Sequence, residues 1–219
     1  MTEASFLSSV RSGYDTIAED YFKHFPRELP GHHVDRGMLT AFVDLVRDSG
    51  LGPVADVGCG PGRLTDYFVN SLGLNTFGID LSPGMIAIAR REFPGLRFEI
   101  GSMTELDLPE ASLGGLIAHY SIMHIPDEGI PEIFAGFHRA LAPGGHLLLA
   151  FQLGDEFRVR TEAHGHEVSI GYHLRPAERV AGWLHDAGFA MLATLTREID
   201  AEWEKAPRGF LLARKPPLA

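Results

Sequence analysis

The sequence is poor in everything that would commit it to a membrane, an export route or a nucleic acid. Cys59 is its single cysteine, so no intramolecular disulfide can form, and a reducing compartment suits it. No apolar run approaches the roughly 20 residues that span a bilayer. The opening stretch MTEASFLSSVRSG lacks the basic start and apolar core of an export signal. Positive charge is scarce: 19 Lys and Arg against 29 Asp and Glu leave a net charge of −10, and no run of Lys or Arg makes a local basic groove. Such a surface repels phosphate backbones. Repeats and low-complexity segments are also missing. The expectation is a soluble, cytoplasmic protein with no nucleic-acid partner and no membrane contact, acting as a monomer or homodimer.

What is present suits one packed domain: 219 residues, 45% of them apolar and 22% charged. Residues 13–25, GYDTIAEDYFKHF, space Tyr14, Ile17, Ala18, Tyr21, Phe22 and Phe25 as on one face of a helix. Residues 34–48 repeat that pattern with Leu39, Phe42, Val43 and Val46, across the connector PRELPGHH. From residue 53 the pattern changes to short apolar runs alternating with helical stretches. Strands are expected over 53–57, 75–80, 96–100, 113–119 and 145–152, with helices over about 62–72, 83–92 and 130–141 between them. LAPGG, 141–145, reads as the turn into the fifth strand. This alternation argues for βαβ units and a parallel sheet covered on both faces. A helix over about 176–187 then leads to two strands, 189–198 and 207–215, with no helix between them, hence an antiparallel pair at the sheet edge. Residues 153–175 are an insertion after the fifth strand. They carry Arg158, Arg160, His164, His166, Tyr172 and His173 at the end of the sheet where binding loops sit.

The segment VADVGCGPGRL, 54–64, carries the strongest local signal. An apolar run ends at Asp56, followed by Gly58, Gly60 and Gly62 at alternate positions. Glycines weaken a strand, so their use here implies a close approach to the backbone, as dinucleotides and S-adenosylmethionine make at the end of a first strand. A dinucleotide fingerprint starting at Gly58 would need glycine where Arg63 stands. Asp80, at the end of the second strand, suits two ribose hydroxyls in either ligand.

DVGCGPG, GIDLSPGMIAIAR, GSMTELDLPEASLGGLIAHYSIMHI and RALAPGGHLLLAF occur in that order. Together they resemble the class I S-adenosylmethionine-dependent methyltransferases, and within them the small-molecule enzymes of the ubiquinone-biosynthesis type. The resemblance implies a Rossmann-like α/β fold: a seven-stranded mixed sheet with the last strand antiparallel, helices on both faces and an N-terminal helical cap. It implies a single domain, 1–219, divided into the cap 1–50, a cofactor-binding core 51–152, an insertion 153–175 acting as a lid, and a C-terminal helix with edge hairpin, 176–219. It also implies S-adenosylmethionine as cofactor and methyl transfer to O, N or C of a small molecule. Asp56, Gly58, Cys59 and Gly60 would line its methionine part and Asp80 its ribose. Leu81 and Met85 would pack on the adenine, Ser102 and Met103 would hold the adenine edge, and Tyr14 and Tyr21 would cover the methionine end. His119, at the end of the fourth strand, would face the methyl group.

Each role has a plainer competitor. The glycines make a tight turn, Asp80 caps a helix (with Ser82 better placed for that), and Met85 is core. Cys59 is a small residue in a crowded turn, and Tyr14 and Tyr21 are the apolar face of a helix. His164 and His166 lack further ligands, so no metal is expected. Where the acceptor must lose a proton, histidine suits the task near neutral pH. The candidates are His119, His124, His166 and His173, of which His119, His166 and His173 are preferred; Tyr21, His166 and His173 are the candidate acceptor contacts. HYSI replaces the NPPY or DPPY of enzymes that methylate base or amide nitrogens. Two rival readings remain at this point: a non-methylating reaction such as a cyclisation on the same fold and cofactor, and a non-catalytic cofactor-binding regulator.

Overall fold

The computed structural model describes residues 3–24, 32–202 and 204–218. Helix α1 (Glu3–His24) and helix α2 (His33–Ser49) precede the sheet. Phe25 and most of the expected connector, 26–31, lie outside the described residues. Helix α1 begins ten residues earlier than expected, because Leu7 and Val10 continue the stripe of Tyr14 and Ile17.

The sheet strands are β1 (Val54–Val57), β2 (Thr76–Asp80), β3 (Phe98–Ile100), β4 (Leu113–His119) and β5 (Leu141–Gln152). Helix α3 (Arg63–Asp66) runs into a wider turn, Tyr67–Ser71. Helices α4 (Pro83–Glu92) and α5 (Ile130–Ala140) complete the crossovers. A hairpin, β6 (Glu156–Ala163) and β7 (His166–Leu174), then stands apart from the sheet. Helix α6 (Ala177–Asp186), β8 (Ala190–Arg197) and β9 (Arg208–Arg214) close the chain. The order is β3-β2-β1-β4-β5-β9-β8, and β9 alone runs against its neighbours. The mixed seven-stranded sheet matches the sequence expectation.

Both faces are covered. Leu116 and Ala118 of β4 pack with Phe134, Phe137, Val180 and Leu184 of α5 and α6. Ile117 and Leu148 pack with Phe42 and Val46 of α2 and with Phe68. This two-sided burial explains why every residue of β1 and all but the last of β4 are buried.

Two local expectations change. LAPGG is not a turn outside the sheet, because Leu141 already pairs with Leu113. A register shift then lets Gly115 pair with His146, and the Gly144 N–H donates to the Lys215 carbonyl at 2.9 Å. Residues 156–174 form a hairpin closed by His164 and Gly165, both at positive φ, with a register shift between Arg160 and Glu162. Such a turn matches strand twist. Seven of the eight β6 residues are exposed, so no apolar alternation announced it.

Candidate active site

The carboxyl ends of β1 and β2 make one edge of the site. All three glycines after Asp56 take left-handed backbone angles, with φ of 79°, 54° and 84°. Their surroundings differ. A Cβ on Gly58 would lie 2.3 Å from that of Ser121, and one on Gly62 2.6 Å from the Phe98 ring. At Gly60 a Cβ would meet nothing within 4 Å. Protein packing therefore accounts for two glycines, and only Gly60 leaves open backbone. Its N–H donates to Asp80 Oδ2 at 2.7 Å, while the Ser82 N–H donates to Asp80 Oδ1 at 2.8 Å. A carboxylate has about four acceptor positions, so Asp80 keeps acceptor capacity for other donors. Burial raises its pKa against the pull of those amides.

Asp56 lies deeper. Its Oδ2 accepts from the Thr65 hydroxyl at 2.7 Å, and its buried Oδ1 has no partner among the described residues. Burial pushes its pKa up to about 7. A lone buried carboxylate oxygen is costly, and a cation or donor supplied from outside resolves it. The Cys59 side chain turns away, packing with Ile86, Ala89 and Phe98, and burial raises its thiol pKa. Leu81 stays partly exposed beside Asp80. Ser102 starts the turn after β3, its Oγ accepting from the Thr104 N–H at 3.2 Å; Met103 reaches toward Gly58. Met85 is covered by Ala18, Tyr14, Tyr21 and Phe22 of α1.

The other edge is assembled from distant segments. Tyr14 Oη lies 2.9 Å from His124 Nε2, and His124 Nδ1 lies 2.8 Å from the Gly171 carbonyl of β7. A carbonyl only accepts, so Nδ1 carries the hydrogen and the bare Nε2 accepts from the Tyr14 hydroxyl. Burial drives His124 down to about 4 and raises Tyr14 well above its ordinary value, so both are neutral near pH 7. The Tyr172 ring meets His124 edge-on at 4.9 Å, and Tyr21 meets Tyr14 edge-on at 6.1 Å. Arg175, 1% exposed, holds this corner: it donates to the Ile122 carbonyl at 3.1 Å, to the Ile125 carbonyl and to Asp127 at 2.7 Å.

His119 ends β4 with its ring against Tyr120 at 4.5 Å, and burial lowers its pKa to about 4. His119 Nε2 and Tyr120 Oη are buried without a partner among the described residues. Tyr120 has φ of 54°, a strained value for an aromatic residue, and lies under the Arg208 guanidinium at 5.2 Å. The next residue, Ser121, donates to the Val57 carbonyl at 2.8 Å, which seats this segment against the glycine turn.

Of the expected site residues, Asp56, Gly58, Gly60, Asp80, Leu81, Ser102 and Met103 gather around the glycine turn, with Tyr14 and Tyr21 on the facing side; His119 is buried against Tyr120 at the end of β4. His166 and His173 do not join them. His166 pairs with Asp20 at 3.0 Å on the outer side of α1. His173 faces Phe157 at 4.6 Å in a separate surface cleft with Asp127, Glu128 and Arg179. The alternation of β7 sends Tyr172 inward and His173 outward. Sequence reasoning passed over Tyr120, Tyr172 and Arg175 as site residues. Only the strand alternation of 166–174 could have pointed to Tyr172.

Residues 54–145 match the family model described as a methyltransferase domain. Phosphoethanolamine N-methyltransferase 1 of Zea mays is 30% identical over 94% of this chain and 43% of its own length. The chain spans less than half the length of the plant relatives it matches. Among solved structures, the 1,6-didemethyltoxoflavin-N1-methyltransferase of Burkholderia thailandensis superposes with a TM-score of 0.71 at 21% identity, covering 99% of this chain and 91% of that one. That structure holds 1,6-didemethyltoxoflavin and S-adenosylhomocysteine. The magnesium protoporphyrin IX methyltransferase of Synechocystis PCC 6803, solved with bound S-adenosylmethionine, gives a TM-score of 0.70 at 16% identity over 96% and 97% of the two chains. At these identities the two structures speak for the fold, and the sequence matches speak for descent: residues 54–145 belong to the methyltransferase domain family.

Proposed function

We propose that the protein binds S-adenosylmethionine and transfers its methyl group to an O, N or C nucleophile of a small molecule. The observation that carries this reading is the Asp80 carboxylate, tied to Gly60 and Ser82 with acceptor capacity left over. That capacity suits the adjacent ribose hydroxyls. The unpartnered Asp56 Oδ1 suits the ammonium of the methionine part, and the open backbone at Gly60 lets that part approach. Leu81, Ser102 and Met103 would flank the adenine, and Tyr14 and Tyr21 would cover the methionine end.

The cofactor, when bound, supplies a methyl group already activated on a sulfonium. The chain's residues must then position the acceptor, exclude water and take a proton where the acceptor carries one. Tyr14 and His124 suit the last task. Tyr14 Oη would take a proton that the acceptor carries while passing its own to His124 Nε2, with the Gly171 carbonyl holding Nδ1–H. His119 Nε2 and Tyr120 Oη offer two further polar atoms to the acceptor. In this reading residues 1–50 and 153–175 cover the core as cap and lid of a single domain. Tyr21 is the acceptor contact retained from the sequence, and His166 and His173 act only through the lid.

The acidic surface favours small molecules over nucleic acids. Among the described residues no helix is long and apolar enough to cross a membrane; a cytoplasmic monomer or homodimer fits the composition. Incubation with methyl-labelled cofactor and a panel of amine, carboxylate and phenol metabolites, read by mass spectrometry, tests the reading. A labelled product supports it. An isomerised product without label, or binding without any product, overturns it.

A further inference from the structure

The cap helix and the first turn of α4 share one hydrogen-bonded seam. Asp15 Oδ1, from α1, accepts from the Gly84 N–H at 2.8 Å and from the Ser82 hydroxyl at 2.5 Å. The same hydroxyl accepts from the Met85 N–H at 3.0 Å, so Ser82 caps α4. The backbone N–H of Ser82 goes the other way, to Asp80 Oδ1 at 2.8 Å. One serine therefore gives one hydrogen to each of two carboxylates, one on the cap and one at the end of β2. The approach is close: a Cβ on Gly84 would lie 3.0 Å from Asp15 Oδ1 and 3.4 Å from the Ala18 Cβ. Ala18, Met85 and Ile88 fill the space behind it, and Arg91 pairs with Glu19 at 2.5 Å farther along.

We propose that Asp15 is a positioning residue that clamps the cap helix to α4, and that Ser82 couples this clamp to the occupation of Asp80. The proposal rests on the reading that Asp80 holds the ribose hydroxyls. Ser82 joins the two carboxylates, its hydroxyl donating to Asp15 and its N–H to Asp80. Two hydroxyls donating to Asp80 fix its carboxylate, which fixes the Ser82 N–H and with it the hydroxyl that reaches Asp15, so ligand and clamp strengthen each other, as linkage requires. Ser82 takes the Met85 N–H and Asp15 the Gly84 N–H, so the start of α4 is completed by a residue of the cap helix.

The test uses the full chain with S-adenosylhomocysteine as probe, following amide hydrogen exchange across residues 6–22 and the rate of ligand release. In the parent protein the ligand should slow exchange in α1 about tenfold. Asp15→Ala should abolish that slowing and release the ligand about tenfold faster. Asp15→Asn should retain both properties, because its amide oxygen accepts the same two hydrogen bonds. Gly84→Ala favours the helix locally but presses on Asp15, and should behave as Asp15→Ala while keeping its helical content. It decides the matter if Asp15→Ala does not fold. Parent-like protection in Asp15→Ala or Gly84→Ala overturns the proposal, and so does Asp15→Asn matching Asp15→Ala. If Asp80→Ala weakens the ligand while Asp15→Ala does not, the coupling alone is wrong. If Asp80→Ala leaves the ligand untouched, the ribose reading fails and the coupling with it.

Discussion

The two edges of the site are built differently. The Gly60–Asp80–Ser82 edge uses backbone amides and a carboxylate within 23 residues of sequence. The Tyr14–His124–Gly171 edge joins side chains 110 residues apart and a carbonyl a further 47 along. The first offers a carboxylate with free acceptor positions; the second offers neutral, buried groups with partners already in place. An edge made of backbone amides and one carboxylate can be written into a short continuous motif. An edge made of packed side chains is assembled from whatever the cap and hairpin bring over the sheet.

Substitutions on the two edges should therefore part kinetically. Tyr14→Phe and His124→Ala should lower kcat by 10²–10⁴-fold, the span of general acid–base catalysis, with S-adenosylhomocysteine affinity held within about twofold. Steady-state rates and calorimetry on the same samples check this. An equal loss of affinity would erase the distinction between the edges.

Arg175→Ala should destabilise the fold by about 2–3 kcal/mol in urea unfolding, because two carbonyls and Asp127 lose one buried donor. Asp80→Ala should weaken the cofactor by about 1.5–3 kcal/mol in calorimetry, the range for hydrogen bonds to a charged group. At saturating cofactor its kcat should change far less.

Asp56 makes a pH-dependent difference. Its folded pKa, about 7, lies above that of an exposed carboxyl. This group's contribution to the free protein's stability is thus complete below about pH 4 and is lost as pH rises through about 7. Cofactor affinity runs the opposite way, since only the carboxylate attracts an ammonium. The dissociation constant should fall by up to about tenfold per unit from pH 6 to 7, and Asp56→Asn should flatten that slope. The smallest effect belongs to His166→Ala: with both partners largely solvated, loss of the Asp20 contact should cost under about 1 kcal/mol and leave turnover intact.

Much of the first edge was legible in sequence. Asp56 ends an apolar run, the glycines follow it, and Asp80 ends the next strand. The reasons for the individual glycines were not legible, since Gly58 and Gly62 answer to Ser121 and Phe98, which are far away in sequence. Histidine counts in 153–175 pointed to His166 and His173, but pleating and the turn at His164–Gly165 direct one to Asp20 and the other to solvent. Their inward neighbour, Tyr172, carried no motif.

Sequence alone determined the alternation of strands and helices, the mixed sheet and the family, because hydrophobic periodicity and backbone-contacting motifs are local properties. Tertiary structure alone decided which histidine meets Tyr14, which carboxylate oxygen stays unpartnered and which serine joins cap to core. Those depend on how distant segments pack, and a buried polar group's environment is set by all the chains that surround it, not by its neighbours in sequence.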